Sequence, residues 1–165
     1  MTWNELYALF GFIGVCAAAA TSGAVFKPGV WYDRLVKPSW VPPKWLFPVA
    51  WTLLYVMISV SGWIVWKQAG LAGAGAAFAF YGVQLVLNAG WSALFFGLRR
   101  IDLALIEVAF LWASIAATIA AFAPHSTTAA WLLAPYLVWV SFAAFLNLVM
   151  LRLNPVAPKA QLAVK

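Results

Sequence analysis

The chain has 165 residues, of which 66% are hydrophobic and only 8% are charged, whereas soluble domains carry about 25% charged residues. This composition excludes an ordinary soluble globular domain and predicts an integral membrane protein. The net charge is +6, but the basic residues are too scattered along the chain to indicate a nucleic-acid-binding surface.

Five apolar stretches are long enough to cross a bilayer, which takes roughly 20 residues in a helix. We predict helices 1 to 5 over about 6–26, 46–67, 71–98, 102–123 and 128–152, in a single domain of residues 5–153 followed by a C-terminal tail, 154–165. The predicted fold class is all-α, an integral membrane bundle of five transmembrane helices. Nine of the ten lysine and arginine residues lie in the first loop, the third loop and the tail. The positive-inside rule therefore predicts a multi-pass protein with its N-terminus outside and its C-terminus in the cytoplasm.

The loop between helices 1 and 2, residues 27–44, is the longest connection and contains Trp31, Tyr32 and Trp40. Long loops in compact domains are often functional lids, so one interpretation is a lid over a pocket. The alternative is that these aromatic side chains only anchor the loop at the lipid headgroups. Before the loop, helix 1 carries a run of small residues from Cys16 to Ala24, which predicts close packing against another helix.

The end of the loop is stiffened by Pro38, Pro42 and Pro43, because proline fixes φ and keeps the preceding residue extended. Helix 2 can begin only after Pro43, and Pro48 falls within its first turn, where missing amide hydrogens cost least. Trp51 then lies about two turns into the helix. This arrangement predicts the mouth of a pocket.

Helices 3 and 5 each present polar and aromatic side chains on one face. On helix 3 these residues recur at i, i+4, i+7 and i+11, and they are Gln84, Asn88, Trp91 and Phe95. On helix 5 they recur at i, i+3 and i+7, and they are Tyr136, Trp139 and Ala143. An amide that faces lipid is costly, so both faces should point inward. They either line a cavity for a large, flat, mostly apolar ligand or merely fill an interhelical core. In the first case, lysine and arginine side chains of the first loop could meet acidic groups on the ligand.

Catalytic and metal-binding constellations are nearly absent from the sequence. His125 and Cys16 are the only histidine and cysteine, so neither a Ser-His-Asp or Cys-His site nor a multi-ligand metal centre is expected. Glu107 lies about a turn and a half into helix 4. We interpret it as a residue that reaches the interface or caps a bonding network, the alternative being a functional intramembrane acid.

The start of helix 3 is rich in small residues. Gly75 and Ala79 are four residues apart, as are Ala69, Gly73 and Ala77. Such spacing allows two helix backbones to approach closely. It indicates either packing within one bundle or a homodimer through helix 3.

At these residues the chain resembles the TspO/MBR family, which comprises the tryptophan-rich sensory proteins and the translocator protein, or peripheral benzodiazepine receptor. The matching pieces are Trp31-Tyr32, Lys37-Pro38-Ser39-Trp40 with Pro42-Pro43 and Trp45, Trp51 with Leu54-Tyr55, Asn88 with Trp91 and Phe95-Phe96-Gly97, and Pro135-Tyr136 through Trp139 to Leu146-Asn147. These pieces are ordered along all five predicted helices.

The resemblance implies a membrane receptor or carrier that binds tetrapyrroles, linked to porphyrin homeostasis and to oxidative or light stress. It also implies isoquinoline or benzodiazepine drug-like ligands, membrane lipid, a homodimer through helix 3, a bacterial cell membrane as the location, and no obligatory cofactor beyond protoporphyrin IX or haem as ligand. The ligand-binding residues implied are Tyr32, Trp51, Asn88, Trp91, Phe95, Trp139, Phe142, Ala143 and Leu146.

Two alternatives stay open at this point. One is a light-dependent porphyrin-degrading enzyme, for which the resemblance implies Trp51 and Trp139 as the catalytic residues. The other is a transporter of porphyrin-like or sterol-like ligands, although the paired intramembrane charges typical of transporters are missing. In the proposed cholesterol motif of animal members a tyrosine stands where this chain has Leu148, so sterol binding is not expected.

Overall fold

A computed structural model describes residues 2–155. The element order is α1 (Trp3–Val25), α2 (Val30–Arg34), α3 (Leu46–Gly73), α4 (Gly75–Ser92), a π-helical turn (Ala93–Gly97), α5 (Ile101–Phe122) and α6 (Thr127–Leu153). Five of these helices are long and apolar enough to cross a membrane, namely α1, α3, α4 with its π-helical turn, α5 and α6. The predicted all-α membrane bundle is confirmed. Of the predicted tail, residues 156–165 lie outside the described part of the chain.

The helix boundaries differ from the predicted ones where local chemistry decides them. The first helix begins at Trp3, because Thr2 and Glu5 form a capping box in which each side chain accepts a hydrogen bond from the other residue's amide. Pro48 is the third residue of α3, so its missing amide hydrogen breaks no helical bond. Near the end of α3, Gly70 has φ 65° and ψ 177°, a conformation open essentially to glycine alone.

The core of the bundle lies where α3, α4, α5 and α6 meet, and it includes Ile58, Ile115, Phe122 and Tyr136, each fully buried. Gln84 is also buried, with 1% of its surface exposed. The expectation that the amides of this face point inward is therefore confirmed for Gln84.

The first helix is less buried than the other four. Its N-terminal half packs against α3: Glu5 pairs with Lys67 at 3.2 Å, the Trp63 Nε1–H donates to the Glu5 carbonyl at 2.9 Å, and the Phe12 ring lies against Gly62. Within its run of small residues, Cys16 and Ala19 are buried, while Ala17, Ala18 and Ala24 are exposed. The close packing predicted for this run therefore holds for part of it only.

The position of the Glu107 carboxyl group differs from the one that the sequence suggested. Both carboxyl oxygens are buried and have no hydrogen-bond partner among residues 2–155. A Cβ atom added at Gly90 would lie 3.9 Å from Oε1, so the carboxyl group faces α4. It neither reaches the interface nor caps a bonding network.

The membrane orientation stays a prediction, and two exposed polar residues at opposite ends of the bundle can test it. Ser39 lies in the loop before α3 and Gln68 near the end of α3. In a Cys16→Ser background, we expect Gln68→Cys and not Ser39→Cys to react with a membrane-impermeant maleimide added to intact cells, because the cationic loops stay inside. Labelling of Ser39→Cys from outside would reverse the orientation.

Candidate ligand cavity

A cavity of about 770 Å³ lies between the helices and extends to the loop between α1 and α3. Its walls come from α1, α3, α4 with the π-helical turn, and α6, with two residues of α5, Val108 and Leu111. The volume lies within the range of about 300–1,000 Å³ that small-molecule sites occupy. The lining is mostly apolar, so an occupant would be a largely apolar molecule.

Two indoles form adjoining walls of the cavity. The ring centroids of Trp51, on α3, and Trp139, on α6, are 6.5 Å apart, and the ring planes are inclined by 86°. Phe47, which also lines the cavity, packs edge-on to Trp139 at 5.9 Å, and Tyr136 packs edge-on to Trp51 at 6.2 Å. A flat ring that stacks on one indole would therefore present its edge to the other.

A third aromatic wall is built by the end of α4. The Trp91 and Phe95 rings are stacked with centroids 4.9 Å apart, and Phe96 lies edge-on to both. All three residues line the cavity. Phe95 and Phe96 belong to the π-helical turn, whose wider winding differs from the α-helical period, and such turns often occur at functional sites.

Hydrogen bonds fix the polar groups of the cavity wall. The Tyr55 hydroxyl donates to Asn88 Oδ1 at 2.8 Å, and Asn88 Nδ2 donates to the Tyr136 hydroxyl oxygen at 2.6 Å. The Trp91 Nε1–H donates to Asn147 Oδ1 at 3.3 Å, while Asn147 Nδ2 donates to the Ile101 carbonyl at 2.9 Å. These bonds tie α3, α4 and α6 together around the cavity and hold the Trp91 ring in one orientation.

The loop closes over one end of this site. Tyr32 is buried against Phe96 at 5.6 Å, and Trp40 stacks on Phe145 at 5.5 Å. The Asn154 side chain bonds both backbone groups of Val36, accepting from its amide and donating to its carbonyl, each at 2.9 Å. The loop therefore packs on the bundle at three points, and headgroup anchoring alone does not describe it.

An ion pair within the loop lies at the cavity mouth. Lys44 Nζ is 2.6 Å from Asp33 Oδ1, and the Lys44 ammonium, chiefly through this hydrogen bond, holds the pKa of the Asp33 carboxyl below its usual value. A carboxyl whose pKa is lowered by folding contributes stability above its unfolded pKa and loses it as the pH falls through the folded pKa. The pair is therefore complete at neutral pH and is lost in acid, as the carboxyl is protonated.

The structure brings together eight of the nine residues that the resemblance implied as ligand-binding. The eight that line the cavity are Tyr32, Trp51, Asn88, Trp91, Phe95, Trp139, Ala143 and Leu146. The ninth, Phe142, is not among the lining residues and packs instead between Trp40, at 6.0 Å, and Trp139, at 5.8 Å. Trp139, Ala143 and Leu146 share one face of α6 at i, i+4 and i+7, and Phe142 falls beside that face.

Sequence reasoning missed one whole wall, which α1 supplies through Ile13, Cys16, Ala17, Ala20 and Ala24. The signal was the run of small residues, interpreted as a packing face only. Small side chains that are spaced along one face also leave room beside a helix. Part of this run leaves such room and lines the cavity. Lys27 and Lys44, at the mouth, belong to the first loop, whose lysine and arginine side chains the sequence suggested as partners for acidic groups on a ligand, and both line the cavity.

Comparison with known proteins decides the family. The model of the TspO/MBR family matches residues 12–153. The chain is 46% identical to the tryptophan-rich sensory protein of Cereibacter sphaeroides over 159 residues, which cover 96% of this chain and 99% of the relative. The chain belongs to the TspO/MBR family.

More distant relatives agree with this assignment. Protein CrtK of Rhodobacter capsulatus is 44% identical over 145 residues, covering 85% of this chain and 88% of CrtK. The translocator protein of Bos taurus is 38% identical over 144 residues, which cover 86% of this chain and 82% of the relative. The TspO/MBR match includes residues of all five membrane-spanning helices, so the family resemblance extends through every wall of the cavity.

The tryptophans of this TspO/MBR chain divide by position. Trp51, Trp91 and Trp139 line the cavity, whereas Trp3 and Trp131, with exposures of 74% and 71%, lie near helix ends on the outer surface. Exposed tryptophans at helix ends are typical of the aromatic belts at membrane interfaces. The cavity tryptophans need a different explanation.

Proposed function

We propose that the protein is a membrane receptor or carrier that binds tetrapyrroles, protoporphyrin IX or haem, in the intramembrane cavity. The observation that carries the proposal is the cavity of about 770 Å³ with two indole walls at right angles, Trp51 and Trp139. A macrocycle is large, flat and mostly apolar, and stacking on an aromatic wall contributes about 0.5–1.5 kcal/mol per pair. The fixed amides of Asn88 and Asn147 offer polar partners for groups on its edge.

Access from the bilayer also supports a carrier or a receptor for lipophilic molecules. Ile13 on α1 and Val56 on α3 belong to the cavity lining and are 44% and 57% exposed. Apolar lining on two membrane-spanning helices is compatible with entry of an apolar ligand from the lipid. A link to porphyrin homeostasis or stress signalling follows if occupancy alters how the loop packs.

Titration of the purified protein with protoporphyrin IX, haem and cholesterol tests the proposal. We expect saturable quenching of tryptophan fluorescence by the two tetrapyrroles, because three indoles line the cavity, and weaker binding of cholesterol. Isoquinoline or benzodiazepine drug-like ligands should compete for the same site. Binding of cholesterol alone would contradict the assignment of the ligand class.

Two oxidisable indoles in the cavity wall, Trp51 and Trp139, favour a second candidate, light-dependent porphyrin degradation. An excited porphyrin stacked on Trp51 or Trp139 would take one electron from the indole, and dissolved dioxygen would be the final oxidant that opens the macrocycle. Illumination with and without dioxygen distinguishes the two functions. A distinct product that needs dioxygen, and forms faster than with free tryptophan, supports the enzyme; nonspecific bleaching supports the receptor.

Substitution of either indole by phenylalanine makes this distinction at the residue level. Trp51→Phe and Trp139→Phe keep an aromatic ring but remove the indole N–H and the easily oxidised ring. For a receptor we expect protoporphyrin affinity to fall by about 0.5–1.5 kcal/mol, with the melting temperature nearly unchanged. For an enzyme, binding should survive while light-driven turnover collapses. If affinity and turnover both match the unmodified protein, the two indoles only fill the core.

We further propose that the protein forms a homodimer through the outer face of α4. Gly75 and Ala79 are exposed there, whereas Ala77, from the other set of small residues, is buried inside the bundle. A Cβ atom at Gly75 would meet nothing within 4 Å, so a larger side chain disturbs only an external contact. Two helices that expose small residues can approach closely in lipid.

Replacing Gly75 and Ala79 together with leucine is therefore expected to convert a dimer to a monomer in mild detergent. Size-exclusion chromatography with light scattering gives the mass. Gly11→Leu on α1 is the matched control, since Gly11 is exposed and likewise has nothing within 4 Å of an added Cβ. A dimer that survives the double substitution uses another surface.

A further inference from the structure

The charged groups of the cavity lining are confined to its mouth and have one sign. Among residues 2–155, the lining includes two lysines, Lys27 just after α1 and Lys44 just before α3, and no acidic residue. Everything deeper in the cavity is apolar or neutral. The site is thus polarised, with an apolar interior and a cationic rim.

The two rim lysines are not equivalent. Lys44 is bound to Asp33 at 2.6 Å, whereas no ion pair or hydrogen bond involves Lys27 within the described residues. The Lys44–Asp33 pair is well exposed, with 68% and 53% of the two side chains accessible, and exposed pairs of this kind are weak. An incoming carboxylate can therefore replace Asp33 as the partner of Lys44.

We propose that the rim selects ligands that carry carboxylates along one edge of an apolar body, with Lys27 binding one acidic group and Lys44 exchanging Asp33 for another. This inference rests on the proposed function, which places the macrocycle in the cavity. It adds the orientation of the ligand and the groups that set specificity. Charge-assisted hydrogen bonds from an ammonium to a carboxylate are among the stronger polar contacts. Asp33 then acts as an internal competitor that weakens the binding of acidic ligands.

The test compares protoporphyrin IX with its dimethyl ester, which has the same ring and no acidic group. Lys27→Gln and Lys44→Gln should each weaken binding of the diacid by about 3- to 10-fold and change binding of the ester by less than about twofold. Asp33→Asn should strengthen binding of the diacid by about 2- to 5-fold, since Lys44 is then free. Arg34→Gln removes one charge from the same loop without touching the cavity lining and is the matched control.

Each outcome bears on the proposal. Equal losses for the diacid and the ester in the lysine variants would overturn it, because the lysines would then only support the loop. A loss with Arg34→Gln as large as with Lys27→Gln would also overturn it, since general charge would explain the effect. Weaker diacid binding in Asp33→Asn would overturn the competitor role. If the unmodified protein does not bind the diacid, the proposed function itself fails; if it binds both compounds alike in every variant, only this inference fails.

Discussion

Replacing Ala143 with tryptophan is expected to weaken protoporphyrin binding by at least about tenfold, or 1.4 kcal/mol, while the bundle stays folded. Ala143 lines the cavity one turn beyond Trp139 on α6. An indole at this lining position would occupy part of the volume that the macrocycle needs. The cavity has room for the new side chain, so the overpacking that usually destabilises a core does not arise.

The control for this substitution lies on the same helix. Val138 is 70% exposed on the outer surface and is not among the residues that line the cavity. Val138→Trp introduces the same side chain at a lipid-facing position and should leave affinity unchanged. Fluorescence titration and the melting temperature are measured for both variants. Unchanged affinity in Ala143→Trp would mean that the ligand binds somewhere else.

Replacing Asn88 with leucine is expected to lower the free energy of unfolding by about 1–3 kcal/mol. The substitution removes both bonds of the Asn88 amide and leaves the Tyr136 hydroxyl, which is fully buried, without its 2.6 Å donor. Hydrogen bonds between membrane helices average only about 0.6 kcal/mol, so most of the loss would come from the stranded hydroxyl. The loss is measured as the change in the free energy of unfolding in a denaturing detergent, monitored by circular dichroism.

Tyr55→Phe separates the loss of an interhelical hydrogen bond from the cost of leaving the buried Tyr136 hydroxyl unpaired. It breaks only the 2.8 Å bond from Tyr55 to Asn88 Oδ1 and leaves the bond to Tyr136 in place. We expect a smaller loss of stability than with Asn88→Leu. Equal effects of the two substitutions would show that Tyr136 finds another partner and that the network does not hold the three helices together.

Much of the fold was predictable because membrane insertion imposes simple rules. Each span needs about 20 apolar residues, and buried amides such as Gln84 and Asn88 reveal the inward face of a helix. The same periodicity identified Trp139 and Ala143 on α6. These predictions depend on local sequence and on the cost of exposing polar groups to lipid, both of which are readable without a structure.

The remaining features depend on how the helices pack in three dimensions. The wall that α1 supplies cannot be read from its small residues, because Ala17 and Ala19 look alike in sequence and yet one lines the cavity and the other is buried. The π-helical turn at the end of α4 was not predicted, because no residue in Ala93–Gly97 distinguishes it from an α-helix in the sequence. The pairing of Lys44 with Asp33 likewise requires the fold of the loop.

Glu107 shows a further limit of sequence reasoning. A carboxyl group near a helix end can reach the interface only if its side chain points outward, and helix rotation decides that. In the structure the side chain points toward α4 at Gly90, and both oxygens are buried. The rotation of α5 is set by the burial of Ala104, Val108 and Leu111 on its inner face.

The most direct test of the central claim, that the cavity between Trp51 and Trp139 holds a tetrapyrrole, is an experimental structure of the protein with protoporphyrin IX. We predict density for the macrocycle within the cavity, its face against one of these two indoles and its carboxylates at the mouth beside Lys27 and Lys44. Density for the ring on the outer surface of the bundle, or on the exposed face of α4, would contradict the account.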